Sequence, residues 1–294
     1  MAWARDSAAL VALLRLGRRP AHEYSELMEA AGSAETVMRQ ELNLESGQVS
    51  LLPDDPEPAI RQAGVQIDAW RDAGFRLLTL LDADYPQNLR QVHDRPPLIF
   101  TAGELGPADS RSVAVIGARR ATGAGVAAAA RIAEHLVSAG YVVVSGLAAG
   151  VDAAAHTAAL AAGGRTLAVI GTGLARSYPA QNAGLQRRIV EEGAVISQFW
   201  PDQPPTRQSF PMRNAVMSGL ALGTVVVEAS QRSGARVQAR LALAHGRPVF
   251  LLRGLVSQPW AQELAGRPGV HVVDAAGEIT TTIERLNATD ALVE

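Results

Sequence analysis

From Ser112 onward the chain alternates short, continuously aliphatic runs with alanine-rich stretches, and this alternation restricts its fold more than any other feature. Residues 113–116, 141–145, 166–170, 194–198, 224–228 and 248–252 read as buried strands, with a further one at 270–273. Between them, residues 125–139, 152–162, 182–192, 212–221 and 234–245 are long enough to be helices. A strand that is apolar on both faces needs cover on both faces. The pattern therefore predicts an α/β, Rossmann-like, doubly wound and mainly parallel sheet with right-handed crossovers. Ahead of it, residues 1–75 read as a small helical domain: Leu10, Leu13, Leu14, Leu27 and Met28 recur near helical spacing, and a helix is expected over 60–73. The proline-rich stretch 52–58 reads as a linker or helix start. Residues 76–294 are expected to form one extended Rossmann-like domain, opening with short strands at 77–81 and 98–101 around the turn at Asp84-Tyr85-Pro86. No C-terminal winged helix is expected after Val273.

Charge is unevenly placed along this frame. Residues 1–105 carry 10 arginines and 16 acids, residues 106–260 carry 15 and 7, and residues 261–294 carry 2 and 6. The arginine-rich middle coincides with the strand–helix alternation, which points to an anionic partner such as a nucleotide or a nucleic-acid backbone. All 27 basic residues are arginine. The absence of lysine excludes a P-loop lysine, a Schiff base and a lysine general base. The absence of cysteine excludes thiolate catalysis, disulfides and Cys-ligated metal. No apolar run reaches the ~20 residues that cross a bilayer, and residues 8–16, bracketed by Arg5, Asp6 and Arg15, lack a signal-peptide layout. A cytoplasmic protein without a membrane segment is the expectation.

Several of the expected strands end in glycine at the edge where doubly wound sheets bind ligands. Gly117-Ala-Arg119-Arg120-Ala-Thr122-Gly123-Ala-Gly125 leads from the first strand into a helix. Free amides of such a helix start can take phosphate oxygens, and the guanidinium forks of Arg119 and Arg120 suit bidentate contacts. Ser145-Gly146-Leu-Ala-Ala-Gly150 and Gly171-Thr172-Gly173 follow, and Ser233-Gly234 opens a later helix like an anion-binding cap. The spacing is not GxGxxG and no acid closes the second strand, so NAD and FAD are not expected, and no cofactor is. Asp152 and His156 share a helix face. They read either as an acid–base dyad or as an aspartate at the helix dipole with a histidine held beside it, and the second reading is preferred. No metal-ligand spacing appears among the six histidines.

Taken in order, the motifs Val-Ile-Gly117-Ala-Arg119, Ser145-Gly146-Leu-Ala-x-Gly150-x-Asp152-Ala-Ala-Ala-His156, Val-Ile-Gly171-Thr-Gly173-Leu, Tyr178-Pro179-x-x-Asn182, Phe210-Pro211-x-Arg213-Asn214 and Glu228-Ala-x-x-Arg232-Ser233-Gly234 resemble the DNA-processing protein A (DprA/Smf) family across about residues 80–255. The resemblance implies a non-catalytic, cytoplasmic, homodimeric protein that binds single-stranded DNA at the sheet edge and assists a RecA-type recombinase in transformation. It implies phosphate contacts from Gly117, Arg119, Ser145, Gly146, Gly171, Arg213, Asn214, Ser233 and Gly234. The chain departs from the family pattern at Ala118, where serine is usual, and at Ala149 and Ala215, where a basic residue is usual. Arg253-Gly254 also replaces a Pro-Gly. Those departures leave two alternatives. One is a nucleotide-sensing Rossmann protein of defence or regulation. The other is an enzyme similar to the nucleotide phosphoribohydrolases, on the strength of Gly223-Thr224-x-x-x-Glu228.

Overall fold

The computed structural model describes residues 4–43, 55–231 and 233–290. The proline-rich stretch is thus described only from Asp55, and Arg232 of the sixth motif lies outside the described residues. Helices α1 (Arg5–Leu16), α2 (Ala21–Ala31), α3 (Ala34–Asn43) and α4 (Glu57–Asp72) come first, followed by β1 (Arg76–Thr79), the short α5 (Gln87–Arg90) and β2 (Leu98–Gly103). The alternating part is β3 (Ser112–Gly117), α6 (Gly123–Ser138), β4 (Val142–Ser145), α7 (Val151–Ala161), β5 (Thr166–Val169), α8 (Ala183–Glu192) and β6 (Ala194–Ser197). It continues through α9 (Ser209–Leu220), β7 (Thr224–Glu228), α10 (Gly234–Ala244), β8 (Val249–Leu252), α11 (Pro259–Ala265), β9 (Val270–Val273) and α12 (Ala276–Asp290).

Among the described residues, nine strands form one sheet in the order β1-β2-β6-β5-β4-β3-β7-β8-β9. The seven strands from β6 to β9 run parallel, as expected, while β1 and β2 add an antiparallel margin through pairings such as Phe100 with Ser197. Side-chain direction alternates along each strand. On β3, Val113 and Val115 therefore enter one core while Ala114 and Ile116 enter the other. The first core sits beneath α6, α7 and α12, with Ile132, Leu136 and Ile283. The second lies beneath α9, α10 and α11, with Met217, Ala239 and Trp260.

A third core joins the N-terminal helices to the sheet. Leu10, Leu13, Met28 and Ile60 share it with Phe100 of β2, Ala168 of β5 and Val195 of β6. An aromatic cluster anchors that contact: Trp70 of α4 meets Phe100 edge-on at 5.0 Å between centroids and stacks on Trp200 at 5.7 Å. The Arg15 guanidinium covers Trp200 at 4.8 Å. Aromatic pairs in such geometry add about 0.5–1.5 kcal/mol beyond their area. The exposed Arg5 pairs with Glu35 and Glu57 contribute less, because water screens them. No helix among the described residues is long and apolar enough to cross a membrane.

Candidate functional site

Strand order reverses at β3. One series of crossovers leads from it to β4, β5 and β6, while β7 and β8 lie on its other side. The crevice beyond the carboxyl ends of β3 and β7 is where such a sheet takes a ligand. A cavity of about 630 Å³ opens there, walled by Arg119 and Arg120 after β3, Glu228 at the end of β7, Asn214 of α9, and Ser233 and Gly234 at the start of α10. A smaller cavity of about 170 Å³ adjoins it, bounded by Gly146, Ala149, Gly171, Tyr178 and Phe210.

Two helices aim their amino ends into the crevice, and both are capped as their sequences require. Thr122 begins α6 and accepts a hydrogen bond from the Gly125 amide at 3.0 Å. The Glu228 carboxylate accepts from the Thr122 amide at 3.1 Å and from its hydroxyl at 2.8 Å, tying α6 to β7. Ser233 caps α10, accepting from the Ala235 amide at 3.2 Å. The remaining free amides and the α10 dipole favour an anion at this edge. Arg119 and Arg120 are exposed at the mouth. The Arg119 guanidinium lies 4.9 Å from the centre of the Phe210 ring, and Tyr178, 44% exposed, stands 5.8 Å from the same ring.

Arg213 is placed differently from those two. It is only 6% exposed, and it donates to the Val169 carbonyl at 3.1 Å. Burial depresses its basicity, while the charge of Asp152 opposes that effect. Asp152 is equally enclosed. Burial pushes its carboxyl up, while Arg213 and the amides of Ala148, Gly117 and Gly146 favour its charged form. The Ala148 amide lies 3.4 Å from the carboxylate. Amides expected to face phosphate are thus turned toward a carboxylate of the chain itself. Gly146 makes this pairing fit, because a Cβ there would stand 1.4 Å from the Arg213 Nη1. Gly150, at φ +80°, brings the next turn so close to Ala118 that a Cβ would stand 2.3 Å from its carbonyl oxygen.

The other expected residues divide between cavity and framework. Gly117, Arg119, Arg120, Arg213, Asn214, Ser233 and Gly234 meet around the larger cavity, and Gly146 and Gly171 line the smaller one. Ser145 lies beneath the turn, fully buried, with its hydroxyl donating to the Val115 carbonyl at 2.6 Å. Gly173 is also outside; its amide donates to the Gln203 carbonyl at 2.9 Å. His156 does not turn toward Asp152. Its Nδ1 lies 2.7 Å from the Thr166 hydroxyl, and burial pushes its pKa down to about 3, so the ring is neutral and there is no dyad.

Two residues at the site, Phe210 and Tyr178, carry no functional expectation from the sequence beyond their places in the motifs. A signal for them exists, since in a chain with 4% aromatic residues both sit beside prolines in segments that lead to the ligand edge. Leu147 is a third such residue. It holds φ 55°, a left-handed value unusual for a branched side chain, and the Asn182 amide donates to its carbonyl at 2.9 Å.

Residues 76–281 match the family model described as DNA recombination-mediator protein A. The chain belongs to that family. Among DprA/Smf relatives, it is 40% identical to DNA processing protein DprA of Streptococcus pneumoniae over 182 residues, 62% of this chain and 64% of the relative. It is likewise 40% identical to protein Smf of Escherichia coli over 207 residues, 69% of this chain and 54% of the relative. The matches therefore span between about half and two-thirds of these relatives' own length. The X-ray structure of the S. pneumoniae DprA superposes with a TM-score of 0.74 at 29% identity, covering 96% of this chain and 98% of that one. Helicobacter pylori DprA, described for its single-stranded DNA binding mode, superposes with a TM-score of 0.64 at 26% identity over 72% of this chain and 96% of that one.

Proposed function

We propose that this chain binds single-stranded DNA in the crevice beyond β3 and β7, as a DNA-processing protein and not an enzyme. The observation that carries the reading is the exposed Arg119 lying over Phe210 beside the exposed Tyr178, near the amino end of α10. Cations follow a strand's phosphates, and aromatic faces take its bases without regard to sequence. The H. pylori relative, described for binding single-stranded DNA, supports the same ligand class. In this reading Arg119 and Arg120 make the phosphate contacts, assisted by the α10 terminus at Ser233 and Gly234. Arg213 holds the turns in place from behind. The protein acts in the cytoplasm as a homodimer that passes DNA to a RecA-type recombinase. Residues 1–75 serve as a helical unit packed against the Rossmann-like part.

The test is a titration of fluorescent oligo-dT at several salt concentrations, with and without Arg119→Ala and Phe210→Ala. Salt-sensitive binding weakened by both substitutions is expected; no binding at low salt overturns the proposal. A second reading rests on the smaller cavity, where Ala149 supplies no charge and Gly146, Gly171 and Phe210 enclose a volume that suits one base. A mononucleotide retained through purification is its expected sign. The phosphoribohydrolase alternative loses its support, because the carboxylate it needs, that of Glu228, is tied to Thr122 as a helix cap.

A further inference from the structure

At the opposite end of the sheet, three side chains converge that the crevice does not use. His245 follows α10 directly, ahead of β8, so the 11-residue α10 holds it about 16 Å from Gly234 at the crevice. Its ring is fully buried, and its Nε2 lies 2.7 Å from Asp94 Oδ1. The exposed His93 brings its ring to 5.3 Å from that of His245, and the ligand atoms of His93, Asp94 and His245 all lie within 4.8 Å of one another.

Two features distinguish this cluster from an ordinary histidine–carboxylate hydrogen bond. The first concerns the neighbours of Asp94. Two other enclosed acids answer to arginine, Asp109 to Arg165 at 2.6 Å and Glu41 to Arg19 at 2.9 Å. The charged groups that act on Asp94 are the two imidazoles. The cluster thus sets a partly enclosed carboxylate against two imidazoles.

The second concerns the orientation of His245. Its Nδ1 lies 2.9 Å from Ser218 Oγ, and that hydroxyl is also 3.1 Å from the Ala215 carbonyl. With Oγ held between the Ala215 carbonyl and Nδ1, the His245 ring is fixed with Nε2 toward Asp94 and the nearby His93, where a shared ion would sit. Histidine ligands to metals are oriented in this way, by a hydrogen bond from the second ring nitrogen.

We propose that His93, Asp94 and His245 bind a divalent metal ion of the zinc type. Two imidazoles and one carboxylate form a donor set for borderline cations such as Zn²⁺; hard cations such as Mg²⁺ prefer oxygen alone. Zinc–nitrogen and zinc–oxygen bonds of about 2.0–2.2 Å require the Asp94–His245 contact to open slightly. Asp94, with its side chain 30% exposed, and His93 at the surface have room to do so. The ion would join the loop after α5 to the end of α10 and, through Ser218, to α9. Ser233 at the other end of α10 and Asn214, one turn before Ser218 in α9, line the crevice, so the site acts as a staple behind it. It does not depend on what the crevice binds.

The experiment uses the full chain, stripped with a chelator and titrated with zinc chloride by calorimetry, with thermal unfolding followed in parallel. One zinc per chain and a raised unfolding midpoint are expected, with magnesium chloride producing neither. His93→Ala, an exposed position whose loss spares the fold, is expected to abolish both effects. Ser218→Ala touches no metal, and it is expected to weaken zinc binding by ~10–100-fold. Absence of zinc binding, or binding and stabilisation undiminished in His93→Ala, overturns the proposal.

Discussion

Gly146 occupies the space that any side chain would take from the Arg213 guanidinium, so the smallest substitution there has a buried guanidinium to displace. Forcing an enclosed group aside by overpacking costs about 1–3 kcal/mol. Gly146→Ala is expected to lose an amount of that order in urea unfolding. Gly234→Ala, with open space around the added methyl, is expected to stay within about 0.5 kcal/mol of the parent. Arg119 offers the reverse pattern: as an exposed residue its loss leaves stability unchanged, and it is expected to weaken oligo-dT binding by about 1–3 kcal/mol. The two arginines look alike in the sequence, since each stands in a motif near glycine or asparagine. What separates them is burial against Asp152, 61 positions away from Arg213, and no local pattern encodes that pairing. His156 makes a pH prediction with a definite sign. Unfolded, it takes a proton near pH 6.5; folded, it refuses one until about pH 3. The unfolded state therefore binds more protons between those values, and stability falls as pH drops through that window, by at most about 1.4 kcal/mol per pH unit from this group. His156→Gln is expected to flatten the dependence of the urea midpoint on pH between about 6.5 and 4.

Helices and strands differ in how well the sequence shows their ends. The aliphatic runs from β3 to β9 fall within about one residue of their expected bounds, because a strand buried on both faces shows its full length in composition. Three helices, α4, α6 and α9, start two or three residues earlier than expected, and for α4 and α9 the reason is the same. Expected at 60 and 212, α4 begins at Glu57 and α9 at Ser209. Each contains a proline, Pro58 or Pro211, within its first turn, where the missing amide has no intrahelical partner to lose. In both places proline opens the helix; it does not block it. The α6 cap permits a direct check. Glu228→Gln removes the charge that bridges β7 to the helix dipole while keeping the shape. It is expected to cost about 1 kcal/mol in urea unfolding.

At the scale of the molecule, the segregation of arginine toward residues 106–260 agrees with where the crevice lies, and it implies a salt dependence. Each phosphate left without its cation takes roughly 0.7 from the slope of log affinity against log salt for a single strand. Arg119→Ala with Arg120→Ala is therefore expected to shallow that slope by about 1.4 in oligo-dT titrations. The parallel sheet is legible from the alternation, and so is the glycine-lined edge where the crevice opens. The antiparallel margin is legible only as two short strands. Their pairing to β6 is a long-range contact that neither propensity nor spacing specifies.

Phe100 and the apolar residues around it share a core with Leu10, Leu13, Ile60 and Trp70 of the first four helices, the Trp70 ring lying against its own. A chain begun at residue 76 would keep every crevice residue and still present that apolar floor to water. Such a truncated protein is expected to precipitate or self-associate in light scattering where the longer one stays dispersed. Solubility then belongs to the first four helices, and the crevice depends on them without touching them.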